Sequence, residues 1–509
     1  MKRRVAMLLV VLALLVGTAV AQDARSVLQA ASTAMGANNL RSVQYSGTGW
    51  NGIVGQSFGI NDDWPRVEVK SYTRTIDYDS KSSKEDMVRI QGSYPLRGGG
   101  AGFPFQGEVR TAFLVSGNSA WNLNPQNQPV PQPAAAEVRQ LEIWLTPHGF
   151  LKAALASDNA RVFTQRQGDK DVNIVSFTAL GKYRVNGTIN DQNLVQHVQT
   201  WIANPVVGDL LWETRYENYK DFGGVKFPGR IHHHQADTID AWNTRGHNTL
   251  EVMVSNVQPN VSGAALTVPD PVRTASAPPV RVESTKLGDG VWFLAGGSHN
   301  SLAVEFRDFI TIVEAPLNEE RSLAVIAEAK KLIPNKPIRY VVMTHHHFDH
   351  SGGLRTYAVE GATILAREET RPFLNRTLFS PRPRILQPDR LSLAPREPRI
   401  EAVGEKYVVS DGTRNLELHP VQGLNHAGTM LLVYFPKERI VVNADLYSPP
   451  AQGAQPPANP SANSIVFYNN IKRLKLDVAQ IAPIHGRVGA MDEFERLVGP
   501  AAAQARQGG

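Results

Sequence analysis

The 509-residue chain contains no cysteine. That excludes disulfides, thiolate metal sites, iron–sulfur clusters, cysteine nucleophiles and a lipid-modified N-terminal cysteine, so any metal must be held by His, Asp or Glu. A dominant charge sign is also missing. Lys and Arg number 53 against 47 Asp and Glu, a net of +6, and Lys2, Arg3 and Arg4 supply three of those positives. So small an excess gives no reason to expect nucleic acid or an anionic membrane as a partner. Long apolar runs are scarce as well. The one at 5–16 follows a basic start and precedes Ala19-Val20-Ala21, the layout of a secretory signal peptide over 1–21, cleaved after Ala21. The run is shorter than the ~20 residues a membrane span needs. The expectation is a secreted or periplasmic mature protein with no stable membrane insertion. Nothing in the pattern fixes its oligomeric state.

What is present divides into two halves. Residues 22–265 read as a β-rich domain. One helix near Ser26–Met35 precedes alternating runs at 66–78, 173–180, 183–189, 194–202, 210–219 and 226–235, with a helix at 137–156 between them. In strand rhythm this half resembles the curved open sheet of periplasmic lipoprotein-carrier-like domains, which implies an accessory role. A stretch at 266–281, with four prolines between 268 and 280, reads as a stiff linker. Beyond it, 282–498 alternates strand-like runs (302–306, 310–315, 338–343, 362–366, 415–421, 430–435, 439–444 and 478–484) with helical ones at 319–333 and 464–474. This is the grammar of a layered α/β domain followed by a tail at 499–509.

Four of the fourteen histidines fall within Thr344–His350, THHHFDH. Alternate residues of an extended segment share a face, so His345 and His347 point together, a spacing suited to two imidazoles on one ion at ~2.0–2.1 Å. Asp349 and His350 follow where the chain must turn before Gly352-Gly353. His346 should point away and serve structurally. Three further donors stand beside strands of the same half: His426 in GLNHAG, Asp445 in NADLY and His485 in APIHGR. Strand ends are where sites gather in layered α/β folds.

These residues resemble the metallo-β-lactamase superfamily, whose H-x-H-x-D-H motif is matched by His345, His347, Asp349 and His350. Its later histidine, bridging aspartate and final histidine correspond to His426, Asp445 and His485. The resemblance implies a four-layered αβ/βα sandwich over 282–498 holding two metal ions. One ion would be held by His345, His347 and His426, the other by Asp349, His350 and His485, with Asp445 and a water between them. An all-nitrogen-and-oxygen donor set suits two zinc ions, with iron or manganese also compatible. Two positions depart from the family pattern: Glu314 replaces an aspartate and Asn425 a glycine.

The resemblance further implies a hydrolase in which a metal-bridging hydroxide attacks an ester, lactone, thioester or amide of a small molecule, with Asp349 orienting it and carrying a proton. Asp445 leans the reading away from dedicated β-lactam hydrolysis, which stands as the alternative, beside a lipid-like ligand-binding protein with a non-catalytic metal site. Tyr447, His299 and Asn300 are candidate substrate contacts, and the proline-rich 449–463 is a candidate rim. Eight arginines between 367 and 399 read chiefly as a solvated face offset by acids, and His232-His233-His234 chiefly as structural.

Overall fold

The computed structural model describes residues 23–507 except 101, 237–246, 382, 456 and 458; the leader expected at 1–21 lies outside them. The N-terminal half builds one thirteen-stranded, wholly antiparallel sheet. Its centre is the pair Ser42–Gly52 and His247–Pro259. From Ser42–Gly52 the chain meanders outward to an edge at Pro129–Pro131. It then crosses one face as two helices, Ala136–Leu145 and Pro147–Leu155, and meanders back from the other edge at Arg161–Gln167. Leu141, Ile143, Leu145, Phe150 and Leu151 of the crossing bury against sheet residues such as Val43, Tyr72, Val175 and Val185, together with Val27, Leu28 and Ala31 of the helix Ala24–Ala34.

Three expectations need correction here. The single helix at 137–156 is two, because Pro147 cannot donate to the preceding turn and Thr146 caps the second helix by accepting from Gly149 N. The strand at 226–235 is broken after Phe227 by Pro228-Gly229 and resumes at Arg230–Ala236. The linker is partly docked: Asp270–Arg273 is a short helix, and Val272 packs with Ala112, Leu114 and Trp121 on the first sheet.

The C-terminal half contains two sheets. A seven-stranded sheet runs in order from Glu283–Gly288 through Val291–Ala295, Ser301–Glu305, Ile310–Val313, Ile338–Val342 and Thr363–Arg367 to Arg399–Val403, antiparallel to Ile310–Val313 and parallel beyond it. A six-stranded sheet runs from Tyr407–Ser410 through Asn415–Pro420, Leu431–Phe435, Ile440–Asn443 and Gln480–Pro483 to Gly489–Ala490. One core joins them, uniting Phe293, Leu302, Val304 and Val342 with Leu416, Leu418, Val433 and Val442. Phe467 and Phe494 enter it from the helices Ala462–Leu474 and Met491–Gln507. The last helix carries on through the alanine-rich 501–503, good helix formers, so the boundary expected at 498 falls inside an element.

The two halves are packed together. Val206, Val207 and Leu210 of the first half are buried in one cluster with Ala303, Ile312, Val341 and Leu354 of the second. Arg384 donates to the carbonyls of Asn204, Pro205 and Val206, while Asp209 accepts from the amides of Ile385 and Leu386.

Candidate metal centre

The strand Ile338–Val342 delivers Thr344–His347 in extended form to the sheet edge, and the helix Phe348–Ser351 then turns Asp349 and His350 back towards it. That turn needs small residues. A Cβ at Gly352 would lie 2.0 Å from the Leu317 carbonyl oxygen. His345 and His347 share a side, with ring centroids 4.4 Å apart, as alternation requires. His346 faces away as expected, its Nδ1 2.8 Å from Thr429 Oγ1 and its Nε2 3.3 Å from Ser57 Oγ.

The three distant donors arrive at the same place. His345, His347 and His426 form one group whose donor atoms all lie within 4.8 Å of one another. His345, His350 and Asp445 form a second, and Asp349, His350, His485 and His299 a third. Asp445 Oδ2 stands 3.3 Å from His345 Nε2, 3.3 Å from His426 Nε2 and 3.0 Å from His350 Nε2, and Asp445 Oδ1 is 3.0 Å from His485 Nε2. Its backbone sits in the left-handed region at φ 60°. Asn443 imposes that turn by accepting from the amides of Leu446 and Tyr447 at 3.2 and 2.9 Å. A strained non-glycine residue, held in place by its neighbours, is a feature that clusters at functional sites.

The nitrogens facing inward are defined by what occupies their opposite edges. Thr344 Oγ1 donates to the Glu314 carboxylate and so accepts from His345 Nδ1 at 3.0 Å, leaving Nε2 bare. His347 Nε2 donates to the Ser57 carbonyl at 2.9 Å, leaving Nδ1 bare. His485 Nδ1 donates to the Ser298 carbonyl at 3.0 Å. Accordingly His345 Nε2, His347 Nδ1, His426 Nε2 and Asp445 Oδ2 are all buried without a hydrogen-bond partner. Such groups are costly unless something binds them, and a divalent cation is what three bare imidazole nitrogens and a carboxylate oxygen fit.

Burial sets the charge states. It pushes His345 and His347 well below the ordinary imidazole range, aided by neighbouring histidines, so both are neutral donors. Burial alone would raise Asp445, but His350 and His426 hold it well below the ordinary carboxylate range. Asp349 is likewise held low against burial, by its contact with His299 and by His350 and His347.

The expected substrate contacts are sorted by these contacts. His299 is 6% exposed, with Nε2 3.2 Å from Asp349 Oδ2, which places it among the candidate metal donors. The GGSHNS loop marked it by sequence, but only the fold brings it to Asp349. Asn300 lies beneath the site: its amide donates to the carbonyls of Pro483 and Gly486 and fixes the His485 turn. Tyr447 lines a cavity of about 460 Å³ beside Asp349, His426, Asp445 and His485. Its ring lies 4.3 Å from that of Phe494, and burial pushes its hydroxyl up to about 12, so it stays a donor. Pro450, Pro457, Ser461 and Asn463 place parts of 449–463 on the rim. Among the described residues, none lining the cavity is Lys or Arg. Some arginines of 367–399 pair with acids outside the cavity, Arg371 with Glu368 and Arg390 with Glu360.

Sequence reasoning missed that the first half reaches this site. Gly100, Gly102 and Phe103 line the cavity, Gln56 Nε2 donates to Asp349 Oδ1 at 2.7 Å, and a Cβ at Gly99 would lie 2.0 Å from His426 Cε1. Gly98, Gly99, Gly100 and Gly102 are the signal the sequence offers, since a close backbone approach to a ring requires residues without a Cβ.

The chain is similar to the 2,4-dinitroanisole O-demethylase subunit alpha of Nocardioides sp. (strain JS1661), 26% identical over 156 residues, 30% of this chain and 43% of that one. This chain thus spans less than half the length of that relative. Among solved structures it is similar to a metallo-beta-lactamase from Pontibacter korlensis (16% identity, TM-score 0.33, 44% of this chain and 99% of that one). Another is a metallo beta lactamase from Hirschia baltica (22% identity, TM-score 0.32, 43% and 96%). The family model described as the metallo-beta-lactamase superfamily matches residues 294–502, which contain all seven donors first read from the sequence. The similarity to the metallo-beta-lactamase superfamily thus covers residues 294–502, behind a large β-sheet half.

Proposed function

We propose that the chain is an exported, zinc-dependent hydrolase that cleaves an ester, lactone, thioester or amide of a small, uncharged molecule. One observation carries the reading: His345, His347, His426, Asp349, His350, Asp445 and His485 converge with their donor atoms turned inward and several of them unpartnered. Such a set exceeds the four ligands of a structural zinc. When bound, a pair of divalent ions supplies an acidified water and polarises the electrophile's oxygen.

The chain's own groups do the rest. His345, His347 and His426 form one holding set; Asp349, His350 and His485 form the other, with His299 beside them and Asp445 between the two. Asp349, which lines the cavity, takes the proton lost by water and returns it to the leaving group. The neutral Tyr447 hydroxyl donates to a substrate oxygen. Phe103, Pro450 and Pro457 line the approach to the reacting bond. The lack of Lys and Arg among the described lining residues supports an uncharged substrate over an anionic one.

In this reading residues 1–21 are a cleaved leader and the β-rich half, 22–265, is an accessory domain. The hydrolase domain begins near 282, its two sheets and outer helices forming the four-layered αβ/βα sandwich. The protein works in the periplasm or outside the cell, without nucleic acid. The similarity to a 2,4-dinitroanisole O-demethylase subunit adds an activated aryl ether to the candidate substrates. The test is metal analysis of purified protein, then turnover of a chromogenic ester, a lactone, a thioester, nitrocefin and 2,4-dinitroanisole. About two equivalents of metal and turnover of at least one substrate are expected. His345→Ala leaving every activity intact would end the proposal.

A further inference from the structure

The interface between the halves runs through the metal centre, and the contacts there are specific. Gln56 and Ser57 are adjacent in the loop after Ser42–Gly52, yet each addresses a different donor set. The Ser57 carbonyl accepts from His347 Nε2 at 2.9 Å, which turns Nδ1 towards His345 and His426. Gln56 Nε2 donates to Asp349 Oδ1 at 2.7 Å and leaves Oδ2 facing His350 Nε2 at 3.7 Å and His299. The loop is tied down on both sides. Phe348 N donates to the Gly55 carbonyl at 3.2 Å, and Gly428 N to the Phe58 carbonyl at 2.9 Å. A second loop of the same half closes over His426: Gly98 N donates to the Asn425 carbonyl at 2.8 Å, and Gly99 passes so near the ring that a Cβ would overlap it. Partners of this kind fix tautomer and ring orientation in metal sites, and their loss costs ~10–100-fold in metal affinity.

We infer that the N-terminal half is a working part of the metal centre, in which Gln56 and the Ser57 carbonyl are positioning groups, one for each of the two ion-holding sets. The inference rests on the metal reading above and extends it: the β-sheet half orients ligands as well as walling the cavity. Gln56 touches no reacting atom; it acts through Asp349.

The test uses the full-length chain, stripped of metal and titrated with cobalt(II) and, against a chelator, with zinc. In Gln56→Ala the second equivalent should bind roughly 10–100-fold more weakly while the first is unchanged. The cobalt absorption bands that grow with the second equivalent should shift, and the unfolding midpoint of the metal-free chain should stay at the wild-type value. In Gly99→Ala the displaced His426 should weaken the first equivalent instead. Gly55, at φ 75° with a Cβ 2.4 Å from Phe348 Cγ, offers a variant that disturbs both, so Gly55→Ala should weaken both equivalents. Wild-type uptake of no metal would overturn the metal reading and this inference together. Two wild-type equivalents, with unchanged affinities and spectra in Gln56→Ala and Gly55→Ala, would overturn this inference alone.

Discussion

Each half of the molecule gathers histidines, and the two gatherings behave differently. On the N-terminal sheet His232 faces Asn248 and Glu251, at 2.7 and 3.1 Å, and His197 and His234 both face Glu213, at 3.2 and 3.6 Å. Each of those carboxylates is also held by an arginine, Glu213 by Arg215 and Glu251 by Arg230. Among the described residues no three metal donors converge there. In the C-terminal half a single carboxylate, Asp445, is shared by four imidazoles, and among the described residues neither Lys nor Arg lines the cavity. The difference teaches that histidine density says little about metal binding. What separates the cross-strand network from the candidate metal centre is whether arginine already satisfies the acid and whether three or more donor atoms converge.

The contrast is broken most forcefully by removing the acid from each cluster. Asp445→Ala should release metal and lower hydrolysis by more than the ~100-fold that loss of an outer partner costs. Glu213→Ala should leave metal content and turnover at wild-type values. Elemental analysis and initial rates on the two variants check this, and equal metal loss in both would dissolve the distinction.

The next effect concerns a histidine with no acid at all. His148 is fully buried against Phe227, with Nε2 3.2 Å from the Met35 carbonyl, and burial brings it down to about 4 with some help from Lys152. The folded pKa lies below the unfolded value, so the unfolded chain binds more protons between the two. Stability is therefore complete above about pH 6.5 and falls as pH drops towards 4, by at most about 3 kcal/mol. Urea unfolding at pH 7 and pH 5 should show the loss, and His148→Gln should flatten it. The smallest expected effect sharpens the boundary between the regions. Arg384→Ala removes a buried guanidinium from three carbonyls of the 204–206 turn and should cost about 2 kcal/mol, read as a lower denaturation midpoint with metal content intact.

Much of the C-terminal half was legible because local pattern and final structure agree there. The apolar run at 338–343 is the strand Ile338–Val342, and the helical period at 319–333 is the helix Glu319–Leu332. The seven donors were legible because each stands next to a strand in one layered fold. Strands such as Glu283–Gly288, mostly exposed, carried too little alternation to be read. Contacts with large sequence separation were invisible in principle. Gln56 and Asp349 are 293 residues apart, and no periodicity encodes their meeting. Asn300 looked like a ligand-facing polar residue because its loop position was readable, while the carbonyls of Pro483 and Gly486 that claim its amide were not.

The Ser57 carbonyl and His485 belong to the same small constellation yet are separated by most of the polypeptide. A ribosome delivers the first long before the last. The great sheet can close once residue 259 has emerged, but the cage cannot be finished until His485 follows. Both halves are thereby needed to complete the site, and a chain cut between them would lack either the Ser57 carbonyl or the donors it orients.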